Sequence, residues 1–373
     1  MSKLSGRSIQ NTSKEPTKYR QKHLFLSGVF IFVCLVVYTF TFSELFGVHY
    51  SRADGNSKKV TKNKEVSVPV FDRVAYDKKM LANANLPQTV GTSTQSSTTL
   101  QKWPVKAPYP NAGAILPFKR IIAYYGNFYS TKMGVLGEYP EDVMLAKLRA
   151  EVAKWEAADP TTPVVPAIDY IAITAQGSPG RDGMYRFRMP PDQIQIALDT
   201  AKKANGIVIL EMQIGLSDIR TELPLLAPYL KLPQVHLALD PEFSMRGGAK
   251  PGTVIGSFDA SEINYVSNYM ATLVRENNLP PKVLVIHRFT QNMVTNDKLI
   301  KPLPEVQILM DMDGWGSPAK KLNTYQRFVA DRPVQFTGFK LFYKNDLKPP
   351  STRILTPQEL LKLSPQPLFI QFQ

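Results

Sequence analysis

The chain has 373 residues and a formal net charge of +14, from 45 lysines and arginines against 31 aspartates and glutamates. The single cysteine, Cys34, excludes an internal disulfide, and four histidines with no Cys/His cluster argue against structural zinc. The basic excess is not gathered into a nucleic-acid reader motif, so no nucleic-acid partner is expected.

In chain order the first element is His23–Phe42, an apolar run without Asp, Glu, Lys or Arg. It is long enough to cross a hydrocarbon core as a helix of about 20 residues. Residues 1–22 carry Lys3, Arg7, Lys14, Lys18, Arg20 and Lys22 against Glu15. This bias predicts a single-pass signal anchor in the cell membrane, with a cytoplasmic basic tail and the remainder extracytoplasmic. A cleaved signal peptide is the alternative, but SELFGVHY comes after the run where small residues would be needed.

Residues 43–117 read as a stalk, with Gly91–Gln101 (GTSTQSSTTLQ) as its low-complexity piece and a short helix around Asp77–Ala84. Pro104, Pro108, Pro110 and Pro117 make an extended approach to the first strand of the folded part.

Residues 118–373 contain eight short apolar runs: Arg120–Asn127, Pro166–Gln176, Gly206–Gln213, Val235–Glu242, Lys282–Phe289, Val306–Asp313, Gln335–Tyr343 and Pro367–Gln373. Helical patterns alternate with them. Tyr139–Ala158 has Pro140 and Glu141-Asp142 at its start. Pro191–Asn205 stops at Gly206. Asp259-Ala-Ser-Glu262 and Thr356-Pro-Gln-Glu359 are capping-box starts. Eight strands in βα alternation predict an α/β fold, a (β/α)₈ TIM barrel. The chain ends on the eighth run, so an eighth helix is expected to be missing, its place covered by residues 66–118.

Residues two apart on a strand share a face. The apolar set of each run then meets the surrounding helices and the polar set points inward. His236, Ala238, Asp240 and Glu242 share one face, as do Asp311 and Asp313, and Glu211 and Gln213. His287 ends the fifth run, Lys340 lies in the seventh and Gln371 in the eighth. The polar residues gather at the C-terminal ends of the strands, where barrel enzymes place their chemistry. The loops after the second and fourth runs, Thr174–Pro190 and Asp240–Phe258, are long and Gly-rich, and the first carries Tyr185 and the second Phe243. Asp313-Gly-Trp315-Gly adds an indole after the sixth run.

Crowded carboxyls in a partly buried mouth suit glycoside hydrolysis, which needs one protonated and one ionised carboxyl. Asp240-Pro-Glu242 has the D-x-E form found at the fourth strand of chitinase-like barrels. That resemblance implies Glu242 as general acid and Asp240 as the group orienting substrate. Val235 and Ala238 depart from the longer acidic motif of those barrels, and Lys340 stands in the run where many retaining glycosidases carry a glutamate nucleophile.

Asp313, Asp311 or Glu211 is then the base or nucleophile, and His287 polarises substrate. Trp315, Tyr185, Phe243, Gln371 and Lys340 contact it. No cofactor is required by this scheme. A divalent cation held by Asp, Glu and His for an esterase or phosphodiesterase is an alternative, as is a non-catalytic glycan-binding barrel. If the acids are only structural, Arg186, Arg188, Arg246, Arg288 and Lys340 are the cations available to tie them up.

The region Arg120–Gln373 resembles a family of exported bacterial proteins, grouped as lipoproteins, of uncharacterised activity. The matching stretches are Gly134–Pro140, Asp159–Pro166, His236–Phe243, Pro280–His287 and Gly338–Tyr343. The resemblance implies a glycosidase-like barrel outside the cell, with a carbohydrate or cell-envelope polymer as partner.

Overall fold

The computed structural model describes residues 71–86 and 102–373. The apolar run 23–42 and the low-complexity piece 91–101 lie outside the described residues. Among those that are described, no helix is long and apolar enough to cross a membrane.

Eight parallel strands close on themselves. In chain order the strands are β1 (Arg120–Gly126), β2 (Val164–Ala175), β3 (Arg186–Arg188), β4 (Ile207–Met212), β5 (Val235–Leu239), β6 (Phe258–Asp259), β7 (Lys282–Arg288), β8 (Val294–Thr295), β9 (Val306–Met312), β10 (Phe336–Leu341) and β11 (Phe369–Phe372). The barrel order is β1-β11-β10-β9-β7-β5-β4-β2, and β1 pairs with β2 to complete the ring. Each of the eight sequence runs contributes one barrel strand. The short β3 pairs antiparallel to the end of β2, and β6 with β8 makes a separate two-stranded ribbon.

The helices are α1 (Arg73–Ala84), α2 (Val135–Glu138), α3 (Glu141–Ala158), α4 (Pro191–Lys203), α5 (Ile219–Glu222), α6 (Ala227–Leu230), α7 (Ala260–Glu276), α8 (Pro318–Tyr325) and α9 (Pro357–Leu360). Both expected capping boxes form, Asp259 with Glu262 on α7 and Thr356 with Glu359 on α9. Such boxes satisfy amide donors that the first helical turn leaves without partners. On α3 the buried stripe is Met144, Leu145, Leu148 and Trp155, while Val143 faces solvent.

Strand alternation sorts the apolar side chains into two clusters. Ile122, Ile168, Val208, Leu210, Leu237, Leu284 and Ile308 face outward onto the helices. Ile121, Ala123, Ala167, Ile207, Ile209, Ala238, Val283, Val285, Leu309, Phe336 and Phe369 fill the lower barrel interior.

Part of the expected stalk belongs to this folded body. Tyr76 and Met80 of α1, with Leu116, join the interior cluster, and Phe71, Tyr109 and Phe118 pack against it. The α1 segment is tied down by Asn85 Nδ2 to the Leu361 and Leu363 carbonyls and by the Gln366 amide to the Asn83 carbonyl. The Gln307 side chain, inside the barrel, accepts from the Ile115 and Leu116 amides and donates to the Leu116 carbonyl. These contacts close the N-terminal end of the barrel, because the aromatic residues there bury apolar area that an extended stalk would leave in water. The segment expected as a side cover is therefore a plug beneath the strands.

Candidate functional site at the strand C-termini

Above the apolar interior tier the same inward-facing positions turn polar. Asp169 of β2, Glu211 of β4, His287 of β7, Asp311 of β9, Lys340 of β10 and Gln371 of β11 are buried, with Asp240 and Asp313 just past β5 and β9. The tiers follow from register: Glu211 sits opposite Ala238 and His287 opposite Asp311, so these groups lie deeper than Asp240 and Asp313 at the rim.

Tyr125, Gln213, Glu211, His287 and Asp311 form one hydrogen-bonded chain, with Gln371–Asp169 and Lys340–Asp313 as separate pairs beside it. His287 Nε2 lies 2.9 Å from Glu211 Oε2, and its Nδ1 lies 3.1 Å from Asp311 Oδ2 and 3.7 Å from Asp313 Oδ2. Tyr125 donates to Glu211 Oε1 at 2.8 Å. Gln213 Nε2 reaches Glu211 Oε1 at 3.0 Å and Asp240 Oδ2 at 3.2 Å. Gln371 donates to Asp169 at 2.6 Å. Lys340 Nζ lies 3.1 Å from Asp313 Oδ1 and 3.7 Å from the centroid of the Tyr125 ring.

A glycine makes this packing feasible. A Cβ on Gly338 of β10 would sit 2.5 Å from Asp311 Oδ1, 2.8 Å from Leu309 Cδ2 and 2.9 Å from Phe369 Cδ1. The Asp311 carboxyl thus occupies the volume that a side chain on β10 would take.

The electrostatics divide the acids. Burial alone would lower the His287 pKa, but the Asp313 and Glu211 charges, with hydrogen bonds to Asp311 and Glu211, hold it well above the ordinary value. Burial would raise the Glu211 pKa, yet the His287 charge and hydrogen bond bring it below normal. Burial, then the Glu211 charge, pushes Asp169 and Asp240 well above the carboxylate range. Burial also raises Asp311, against the pull of His287. Burial would lower Lys340, but Asp313 and the other acids raise it. The centre therefore balances two cations, His287 and Lys340, by keeping several carboxyls neutral.

Glu242 stands apart. It comes after β5 in the turn Pro241–Phe243, where Asp240 Oδ1 accepts the Glu242 amide at 3.0 Å and fixes the turn. Its carboxyl has no ion-pair or hydrogen-bond partner among the described residues. Burial, then repulsion from Asp313, raises its pKa to about 7.

Glu242, Asp240, Asp313 and Lys340 line an open cleft of about 480 Å³. Its walls include Tyr125, Gln213, Phe243, Phe289, Trp315 and Phe342. The loop carrying Trp315 is fastened by buried Asp346, which accepts from the Gly316 and Phe342 amides and pairs with Lys321 at 2.6 Å. The loop 174–190 folds back as β3, held by Arg186 and Arg188 on buried Glu222 at 2.7 Å each.

Of the residues singled out in the sequence, Glu242, Asp240, Asp313, Trp315, Phe243 and Lys340 meet in the cleft. Glu211, Asp311 and His287 are fully buried beneath its floor. Gln371 is also buried, bound to Asp169, and Tyr185 lies outside the cleft, its carbonyl accepting from the Gln176 amide. Of the five candidate cations only Lys340 reaches these acids. Arg186 and Arg188 serve Glu222, Arg246 pairs with Glu262 and Arg288 with Asp297. Among the described residues no group of three or more His, Cys, Asp or Glu side chains is placed to hold a metal ion.

Two buried groups of the site, Tyr125 and Asp169, were not singled out from the sequence, nor were Phe289, Phe342, Lys132 and Lys320 of the cleft wall. Tyr125 follows Ile121 and Ala123 on the inner face of β1, and Asp169 follows Ala167 on the inner face of β2.

No family model matches the chain, and no curated protein matches it. Among solved structures, a ruminal GH26 endo-β-1,4-mannanase aligns at 12% identity and TM-score 0.34, covering 69% of this chain and 59% of that one. A hyperthermophilic endo-β-1,4-glucanase in complex with substrate aligns at 9% identity and TM-score 0.35, covering 66% and 96%. A GH18 chitinase from Pseudoalteromonas aurantia aligns at 10% identity and TM-score 0.23, covering 62% and 69%. The alignments are too loose to transfer a residue or an activity, and the barrel assignment stands on this chain's own strand pairing.

Proposed function

We propose that the chain is a glycoside hydrolase-like barrel with Glu242 as general acid. The observation that carries the reading is an unpaired carboxyl, titrating at about 7, in an open aromatic-lined cleft beside a second carboxyl that is held by cations. Glu242 would give its proton to the glycosidic oxygen as the bond to the anomeric carbon breaks. Asp313, between Lys340 and His287, would either attack that carbon or take the proton of an attacking water. Asp240 would orient the sugar, and Trp315 and Phe243 would pack against its C–H faces. Glu211, Asp311 and His287 would act from below, fixing the charge and position of Asp313.

The apolar run 23–42 supports placing this barrel on the outer face of a cell membrane, with a cell-envelope or extracellular glycan as substrate. One observation favours a second reading, a glycan-binding barrel: Glu211, Asp311 and Asp313 are all engaged in ion pairs. The full chain and its Glu242→Gln variant, offered a panel of oligosaccharides, separate the two. Release of shorter sugars by the wild type alone, with binding kept in the variant, is the expected result. Binding without turnover in both proteins would select the second reading.

A further inference from the structure

The cleft has a second chemical character besides its acids. Lys132 from the β1–α2 loop, Lys320 from α8 and Lys340 from β10 all line it. Lys340 is committed to Asp313, but Lys132 and Lys320 are exposed and form no ion pair among the described residues. A small side pocket continues past Lys132 and Phe342 to Lys344. Lys344 is paired with Glu138 at 2.7 Å.

Trp315 also lines the cleft. Its indole is 47% exposed, although it projects from a loop fastened by buried Asp346. Lys320 Nζ and Lys348 Nζ each lie 5.1 Å from its ring centroid. A Cβ on Gly316 would meet Lys320 Cδ at 2.8 Å, so the bare backbone there gives the lysine stem room to lie against the loop. An exposed indole flanked by ammonium groups presents one flat apolar surface and several donors that carry positive charge. A neutral sugar uses the first and leaves the second unpaired. A sugar bearing an anionic oxygen group uses both.

The carboxyls lining the cleft do not cancel this. Burial keeps Asp240 protonated well above the usual range, and burial with Asp313 beside it holds Glu242 at about 7. In mildly acidic solution the exposed Lys132 and Lys320 then share the cleft with two carboxyls that hold their protons.

We infer that the cleft lined by Lys132, Trp315 and Lys320 holds a subsite for an anionic sugar, a residue carrying a carboxylate or a sulfate, stacked on the indole with its charge on the lysines. The inference rests on the glycan reading of the cleft and names the class of glycan. Residues 23–373 keep +9 of the chain's +14, since residues 1–22 carry +5, and this excess adds long-range attraction for an anionic glycan.

The test uses the full-length Glu242→Gln protein in neutral detergent, so that binding is read without turnover. Of the three tryptophans, Trp103 and Trp155 are buried and Trp315 is exposed, so ligand-induced change in indole fluorescence reports on the subsite. The probes are an oligogalacturonate hexamer, a heparin-derived hexasaccharide and cellohexaose. We expect one or both anionic probes to bind at least about tenfold more tightly than cellohexaose. Binding of the oligogalacturonate shows that a carboxylate suffices, and binding of the heparin hexasaccharide without it shows that sulfate is required. Lys132→Ala with Lys320→Ala should weaken the anionic probe by about tenfold and leave cellohexaose unchanged, and Trp315→Phe should remove the signal. Rising salt should weaken the anionic probe selectively. Equal affinity for neutral and anionic probes, or failure of both anionic probes to bind, overturns the subsite. If an anionic probe binds but the wild type never cleaves it, the hydrolase reading fails and the subsite stands. If the wild type cleaves cellohexaose and ignores the anionic probes, the reverse holds.

Discussion

Replacing Glu242 by Gln should make the folded protein more stable, and increasingly so as pH rises. The folded-state pKa of Glu242 is raised from 4.5 to about 7, chiefly by burial and then by Asp313. Below pH 4.5 the side chain is neutral in both folded and unfolded chains and costs nothing. Between 4.5 and about 7 the unfolded chain ionises while the folded one holds its proton, and stability is lost. Above about 7 both are ionised and the full penalty is present, about 3 kcal/mol from the gap between the two values. Partial solvent contact brings the expectation down to about 2 to 3 kcal/mol. At pH 5 the same linkage gives only about 1 kcal/mol. Glutamine keeps the volume and cannot ionise, so urea unfolding of wild type and variant at pH 5 and pH 8 should show a stability gain that grows between the two. A variant that is equally stable or less stable at both pH values would refute the reasoning, since it would mean that the folded protein already compensates the Glu242 charge.

The supporting shell gives two further expectations. Gly338→Ala places a methyl 2.5 Å from Asp311 Oδ1 in a filled interior, so it should cost about 2 kcal/mol in chemical denaturation; a neutral result would show that the β9–β10 floor can shift. Lys340→Met leaves Asp313 without its nearest cation, costing about 3 kcal/mol, and removes a charge that lowers the Glu242 pKa. The Glu242 titration, read as the carboxyl ¹³C signal absent from Glu242→Gln, should therefore move to a midpoint above about 7; an unmoved midpoint would remove Lys340 from the electrostatics of the acid.

The barrel was legible because its strands are buried on both faces. Their apolar runs are short, rich in Ile, Val and Leu, and separated by capped helices, so period and spacing agree. The inward direction of Asp240, His287 and Asp311 came from alternation alone. Depth did not. Glu211 and Asp240 end neighbouring strands and look alike in sequence, yet Glu211 pairs across from Ala238 and lies a tier below the rim. That difference is set by the stagger between strands, which no single run records. It decides which acid faces the cleft and which is sealed beneath it. Asp169 was hidden differently, as one acid inside a long apolar run on β2, where a register shift falls between Ile171 and Ile173. The plug beneath the barrel was read as stalk because its polar composition masked a few aromatic anchors, Phe71, Tyr76 and Tyr109.

Delivery of a proton from Glu242 to a leaving oxygen is the step on which the hydrolase reading depends. Its most direct test is the pH dependence of wild-type hydrolysis on two substrates, a glycan with its natural linkage and an aryl glycoside whose leaving group needs no proton. The natural linkage should be cleaved about tenfold more slowly for each pH unit above about 7, while the aryl glycoside lacks that alkaline limb. An alkaline limb of the same midpoint on both substrates, or on neither, would contradict the assignment of Glu242 as the acid.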